Sequence, residues 1–93
     1  MKIATLEKIH ELLKKEANIR KNERELTKNV YYQKKDEFEA IIIEAGIEAG
    51  DVKDESVVLA KRAVEEAKAV YDKARQQSCA AYDALHDFEE QEF

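Results

Sequence analysis

Apolar positions in the second half of the chain repeat at alternating intervals of three and four residues, which is the heptad pattern of a helix packed along another helix. The repeat runs from Val57 to Phe88, and Ser78 is its one polar member. The pattern predicts a helix over about residues 54–91. Small side chains in such a repeat let two helix axes approach closely, and here they are Ala60, Ala67, Ala74 and Ala81.

The first half of the chain also has a helical pattern, but its apolar positions do not keep one register. Residues 20–25 are all polar and interrupt them. Because the interruption contains neither Gly nor Pro, we predict one continuous helix over about residues 5–46. A break near residues 18–27, which would give three helices, is the alternative. The apolar stripes are Leu6, Ile9, Leu13 and Ala17; Leu12, Ile19, Leu26 and Val30; and Tyr31, Phe38, Ile42 and Ala45.

Both glycines of the chain, Gly46 and Gly50, lie between the two predicted helices. Glycine commonly ends a helix because it adopts the left-handed conformation without strain. A short connection makes the helices antiparallel neighbours, so that a fold at residue 50 brings residue i level with about residue 100 − i. The 93 residues are therefore predicted to form a single all-α domain over 1–93, a long antiparallel helical hairpin.

Two runs of consecutive apolar residues, Ile41 to Ile43 and Val57 to Leu59, flank the predicted turn. Three consecutive residues span about 200° of a helix surface, so they cannot all face one partner helix. A third apolar column, Ala63, Val70 and Ala84, likewise favours a bundle over an isolated pair of helices. We expect a homodimer that forms a four-helix bundle, and we also expect it to bind another protein. The predicted contact surface consists of Ile41, Ile42, Ile43, Ile47, Val57, Val58 and Leu59.

Charge is distributed unevenly along this acidic chain of net charge −5. Residues 1–35 carry ten basic and five acidic side chains, whereas residues 36–93 carry six basic and sixteen acidic ones. A basic face on the first helix makes nucleic-acid binding the alternative function. Glu16, Glu23 and Glu25 interrupt that face, and we do not expect nucleic acid to be the main partner. The candidate basic residues are Lys14, Lys15, Arg20, Lys21, Arg24 and Lys28.

Two histidines follow a carboxylate at the spacing that di-metal helical bundles use. The pairs are Glu7 with His10, and Asp83 with His86. The heptad register turns both pairs toward a solvated flank, so we expect no metal and no cofactor. The lone Cys79 and the two serines have no neighbouring base or nucleophile motif. We therefore expect a protein that is not an enzyme.

No apolar run is longer than four residues, as in Ala40 to Ile43, which is far shorter than the roughly 20 residues that span a bilayer. We expect no membrane partner and a cytoplasmic location.

Residues 5–16 and 84–93 resemble the ends of small, uncharacterised α-helical proteins of Firmicutes phages and prophages, although Phe93 stands where those often end in Trp. The resemblance implies a phage or prophage origin, a small accessory or structural role and a location in a bacterial host cell; it implies no activity. Secreted helical hairpins of the WXG100 type are similar in length and shape. Their Trp-x-Gly turn is replaced here by Glu44, Ala45 and Gly46. Their C-terminal signal has an acidic residue four positions after a tyrosine, whereas here His86 stands four positions after Tyr82.

Overall fold

The computed structural model describes residues 3–45 and 55–93, and two α-helices occupy almost all of this part of the chain. Helix α1 is Ile3–Ala45 and helix α2 is Glu55–Glu92. The all-α fold is confirmed, and the predicted helix limits differ from these by no more than two residues. The predicted turn, with Gly46 and Gly50, lies outside the described residues.

Helix α1 continues without interruption through the polar segment of residues 20–25, so the alternative with a break near residues 18–27 is wrong. Side chains within the helix support this segment at i,i+3 and i,i+4 spacing. The Arg20 guanidinium donates to the carboxylate of Glu16 at 2.7 Å and to that of Glu23 at 3.1 Å. Side-chain bonds within α1 thus stabilise the helical conformation of the polar segment, and the chain does not turn there.

The chain divides into two compact units, each built from one segment of α1 and one of α2. The first unit comprises Met1–Glu25 and Lys73–Phe93, and the second comprises Leu26–Asp72. In both units the contacts between the segments are antiparallel, as in the predicted hairpin. His10 contacts Glu89 in the first unit, and Tyr31 stacks on Tyr71 in the second; both pairs agree with a fold at residue 50 to within one helical turn.

The first unit has an interior that combines small, apolar and polar side chains. Ala17, Ala74 and Leu85 are buried, and Ser78 is completely inaccessible to solvent. The Arg24 guanidinium donates to the Ser78 hydroxyl at 3.3 Å. A buried hydroxyl without a partner would be costly, so this bond explains how a polar residue is accommodated in the heptad repeat.

The second unit has a more apolar interior. Val57 is 3% exposed, and the other members of the repeat there, Ala60, Val64, Ala67 and Tyr71, are half-buried. The rings of Tyr31 and Tyr71 stack with their centroids 6.0 Å apart. A two-helix pair with so few fully buried side chains leaves much of its apolar surface open to solvent.

Candidate functional site

The second unit contains an open groove between its two helix segments, with a volume of about 280 Å³. Apolar side chains from both helices form most of it, and one basic and one acidic side chain complete it. The lining residues are Thr27, Val30 and Lys34 of α1 and Ala63, Glu66, Ala67 and Val70 of α2.

The groove exists because α2 carries alanines where the two helices would otherwise fill the space between them. Ala63 and Ala67 are half-buried and have no side-chain atoms beyond Cβ. Val30 and Val70 stand further out, and 48% and 56% of their surface is exposed. Solvated valines beside a shallow apolar trough form a surface that another apolar side chain can cover.

Two leucines extend this surface along the helices. Leu26 precedes Val30 by four residues, and Leu59 precedes Ala63 by four, so each lies on the same side of its helix as the groove. Their exposures are 66% and 54%. We call the groove together with these leucines the groove face.

The predicted contact residues near the turn do not all lie at the surface. Val57 is buried between the helices, and Ile41 and Ile42 are half-buried. Ile43, Val58 and Leu59 are exposed, while Ile47 lies outside the described residues.

The exposed members of that predicted surface also point in different directions. Successive residues of an α-helix are rotated by about 100°. Leu59 belongs to the groove face, whereas Val58 is about 140° from Ala63 around α2, and Ile43 is about 140° from Val30 around α1. The predicted surface therefore divides between two sides of the second unit.

Of the groove face, sequence reasoning placed only Leu59 in the predicted contact surface, and its exposed apolar residues Leu26, Val30 and Val70 were missed. Two signals pointed to them. Leu26 and Val30 belong to the second apolar stripe of α1, and Val70 belongs to the third apolar column of α2. To predict that this stripe of α1 and this column of α2 form one surface, one must know how each helix is rotated about its axis. The irregular apolar pattern of α1 does not show that rotation.

The two arginines of the predicted basic face are bound within the first unit. Arg20 contacts Glu16 and Glu23 and also donates to the Gln77 amide oxygen at 3.3 Å. Its hydrogen bond to Glu16, followed by that to Glu23, raises the pKa of the Arg20 guanidinium above its ordinary value. Arg24 contacts Ser78 and lies 3.6 Å from the Glu25 carboxylate. Lys14, Lys15 and Lys21 are exposed, so the lysines are the more accessible part of the predicted basic face.

The tyrosines of the second unit are also engaged within the chain. Tyr31 lies between Tyr32 and Tyr71, with centroid distances of 5.6 and 6.0 Å. The Lys35 ammonium lies 5.4 Å from the Tyr31 ring, and the Lys28 ammonium lies 5.9 Å from the Tyr32 ring. Base stacking needs an open ring face. Tyr32 is 48% exposed, but the Lys35 ammonium also lies 5.7 Å from its ring centroid.

The candidate metal ligands are not brought together as two carboxylate–histidine pairs. His10 Nε2 lies 3.2 Å from a Glu89 carboxylate oxygen, and His86 Nδ1 lies 3.7 Å from the other one. Glu7 and Asp83 are exposed. Across residues 3–45 and 55–93, no three His, Cys, Asp or Glu side chains form a group that could hold a metal ion.

His10 differs from the expectation of a solvated flank. Its side chain is only 18% exposed, because two phenylalanines pack against the ring. The centroid of Phe93 is 4.8 Å away, and that of Phe88 is 6.0 Å away. His86 is 68% exposed, as expected.

Cys79 is free and exposed. Neither described helix has a stretch that is long and apolar enough to cross a membrane.

Comparison of the chain with protein-family models, with curated proteins and with solved structures gave no match. The groove face is therefore interpreted from its own geometry.

Proposed function

We propose that this chain is a non-enzymatic helical interaction module that associates with itself, forms a two-fold four-helix bundle and binds another protein. The observation that carries the proposal is the exposed apolar surface of the second unit. Leu26, Val30, Leu59 and Val70 are each about half or more exposed. Covering such side chains is the main favourable term in protein association, and a hairpin of this size gains an enclosed core when a second one packs on it.

The resemblance of residues 5–16 and 84–93 to phage and prophage proteins supports an accessory role in the cytoplasm of a bacterial host cell. Nothing in the resemblance supplies a substrate or a reaction, and the described side chains offer contact surfaces instead. The WXG100-like alternative has less support, because the residues that mark that family's turn and secretion signal are replaced in this sequence.

Nucleic-acid binding is the second candidate function, and the exposed Lys14, Lys15 and Lys21 favour it. Arg20 and Arg24 support it less, because their guanidinium groups bond within the first unit. Binding of this kind would weaken steeply with added salt. Titration of labelled DNA and RNA at low salt tests it, and a complete lack of binding there would exclude it.

The mass of the protein in solution tests the proposed self-association. Size-exclusion chromatography with light scattering, run over a series of protein concentrations, should give about twice the chain mass of 10.7 kDa. Circular dichroism on the same samples should show a helical protein. A helical protein that keeps the mass of one chain at every concentration would contradict the proposal.

A further inference from the structure

We propose that the groove face is the contact of the dimer, and that a second copy of this chain occupies it in a two-fold arrangement. Lys34 of each copy then lies against the partner's Glu66. The inference rests on the proposed function and goes further, because it assigns the surface, the symmetry and a specific pair of charges.

The shape of the groove fits a second copy of the same surface. Ala63 and Ala67 leave a trough, and Val30 and Val70 stand exposed beside it. A two-fold dimer uses the same patch on both subunits. A second copy therefore covers the exposed valines of the first with its own apolar side chains.

The antiparallel pairing determines which residues meet. Within the second unit Tyr31 of α1 stacks on Tyr71 of α2, which places Val30 within one helical turn of the level of Val70, and Lys34 within one turn of the level of Glu66. A two-fold axis parallel to the helices places α1 of one copy over α2 of the other at the same level. Val30 then meets the partner's Val70, while Lys34 meets the partner's Glu66.

The same arrangement continues toward the turn. Ile41 lies two helical turns beyond Lys34, on the same side of α1, and its level on α2 is within one helical turn of Leu59. Ile41 therefore meets the partner's Leu59, which is 54% exposed within one chain. Apolar side chains face apolar side chains at two levels, and opposite charges face each other at the level between them.

The charges of the groove favour a second copy over an unrelated helix. Each groove carries one cation and one anion, and the two-fold operation supplies both opposite partners without any further residue. Lys34 Nζ already lies 3.2 Å from the Glu37 carboxylate, and both side chains are well solvated. An exposed pair of this kind contributes little to stability, so Lys34 can exchange it for the partner's Glu66.

The first test compares two valines of α2 that differ in the side they occupy. Val70→Asp introduces a charge into the groove face, and Val58→Asp introduces the same charge at an exposed position about 140° from Ala63. We expect Val70→Asp to raise the dimer dissociation constant by about tenfold or more, which is the effect of placing an unpaired charge in an apolar contact. Val58→Asp should leave it within about twofold of the unchanged protein, since it lies outside the contact.

The second test exchanges the charges. Lys34→Glu and Glu66→Lys should each weaken the dimer by about threefold or more, because like charges then face each other. The double variant Lys34→Glu with Glu66→Lys restores opposite charges across the two-fold axis and should return the dissociation constant to within about twofold. Sedimentation or light scattering over a dilution series gives the constants, and circular dichroism verifies that each variant is helical.

The outcomes separate this inference from the proposed function. If the unchanged protein dimerises but Val58→Asp disrupts the dimer and Val70→Asp does not, the groove assignment is wrong and self-association stands. Failure of the double charge exchange to restore a dimer weakened by the single changes overturns the pairing of Lys34 with the partner's Glu66. If the unchanged protein is monomeric throughout, self-association itself is wrong. Should Val70→Asp lose helicity, Val30→Asp, at a position 48% exposed, takes its place.

Discussion

The two units of this chain use similar helix pairs in different ways. In the first unit, long polar side chains of α1 are bound across the pair, and the His10 ring is covered by Phe88 and Phe93. In the second unit, the described groove face leaves aliphatic side chains beside an alanine trough in contact with solvent. The same heptad repeat on α2 runs through both units, so the difference comes from the side chains that flank it.

This difference separates a unit whose polar side chains bond across the helix pair from a unit with an open apolar groove. In the first unit long polar side chains bond across the helix pair, although Leu12 and Ile19 of that unit are also exposed. In the second unit alanines and valines leave an open apolar groove at the surface of the helix pair, the kind of surface that a partner can cover. The first unit is thus the part expected to depend least on protein concentration, and the second the part expected to depend on it most.

The largest effect is expected from removing buried apolar side chains, one in each unit. Leu85→Ala in the first unit should lower the free energy of unfolding by about 2–3 kcal/mol, since it deletes a buried branched side chain and leaves a cavity. Val57→Ala in the second unit removes less and should lower it by about 1–2 kcal/mol. Denaturant unfolding at one fixed protein concentration measures both.

Hydrogen exchange on the same variants decides whether the units are separate cooperative elements. Leu85→Ala should speed exchange in the first unit more than in the second, and Val57→Ala should do the reverse. Equal loss of protection in both units for either variant would show that the two units unfold together. The units would then differ in structure but not in stability.

A smaller effect is expected from the buried polar contact of the first unit. Arg24→Met leaves the Ser78 hydroxyl without this donor and should lower the free energy of unfolding by about 1 kcal/mol. Ser78→Ala should have a smaller effect, because the 29% exposed Arg24 side chain can turn to water. A double-mutant cycle that gives a coupling energy of about 1 kcal/mol supports the bond, and a coupling near zero would contradict it.

The smallest effect is expected where α2 ends in the first unit. Phe93 is 67% exposed but contacts the rings of His10 and Phe88. Phe93→Ala should lower the free energy of unfolding by about 0.5–1 kcal/mol through the lost ring contacts. Val58→Ala serves as the control at another exposed position, and a loss no greater than its own would mean that the aromatic contacts do not stabilise the unit.

The helices of this fold were predictable because their signals are local and repeated. The heptad repeat of α2 extends over many turns, and the absence of Gly and Pro from α1 was sufficient to predict a continuous helix. The interior role of Ser78 was visible in the repeat, but its partner was not. Arg24 was assigned to a basic surface, because nothing in the sequence distinguishes an arginine that bonds to the neighbouring helix from one that points into solvent.

The candidate site was only partly predictable for a related reason. The run Ile41 to Ile43 was predicted to be a contact surface because its residues are consecutive and apolar. Consecutive residues are spread around a helix, however, and cannot all lie on one surface. The groove face is built from residues three and four positions apart on two helices, and its members are separated by up to 44 residues in the sequence. Assembling it requires the rotation and level of each helix, which the structure supplies and the residue pattern does not.

The buried Ser78 has one more consequence, for the choice among alternative alignments of the two helices. Alanine recurs every seven residues on α2, at Ala60, Ala67, Ala74 and Ala81, so sliding α2 along α1 by one heptad would replace three of these four alanines with another alanine. Such a slip would move Ser78 away from Arg24, place Tyr71 or Leu85 beside the guanidinium, and remove a hydrogen bond from an inaccessible hydroxyl. The bond between Arg24 and Ser78 therefore favours the observed alignment of a repetitive sequence, together with the His10–Glu89 and Tyr31–Tyr71 contacts. Replacing Ser78 with alanine should make the shifted alignments more populated.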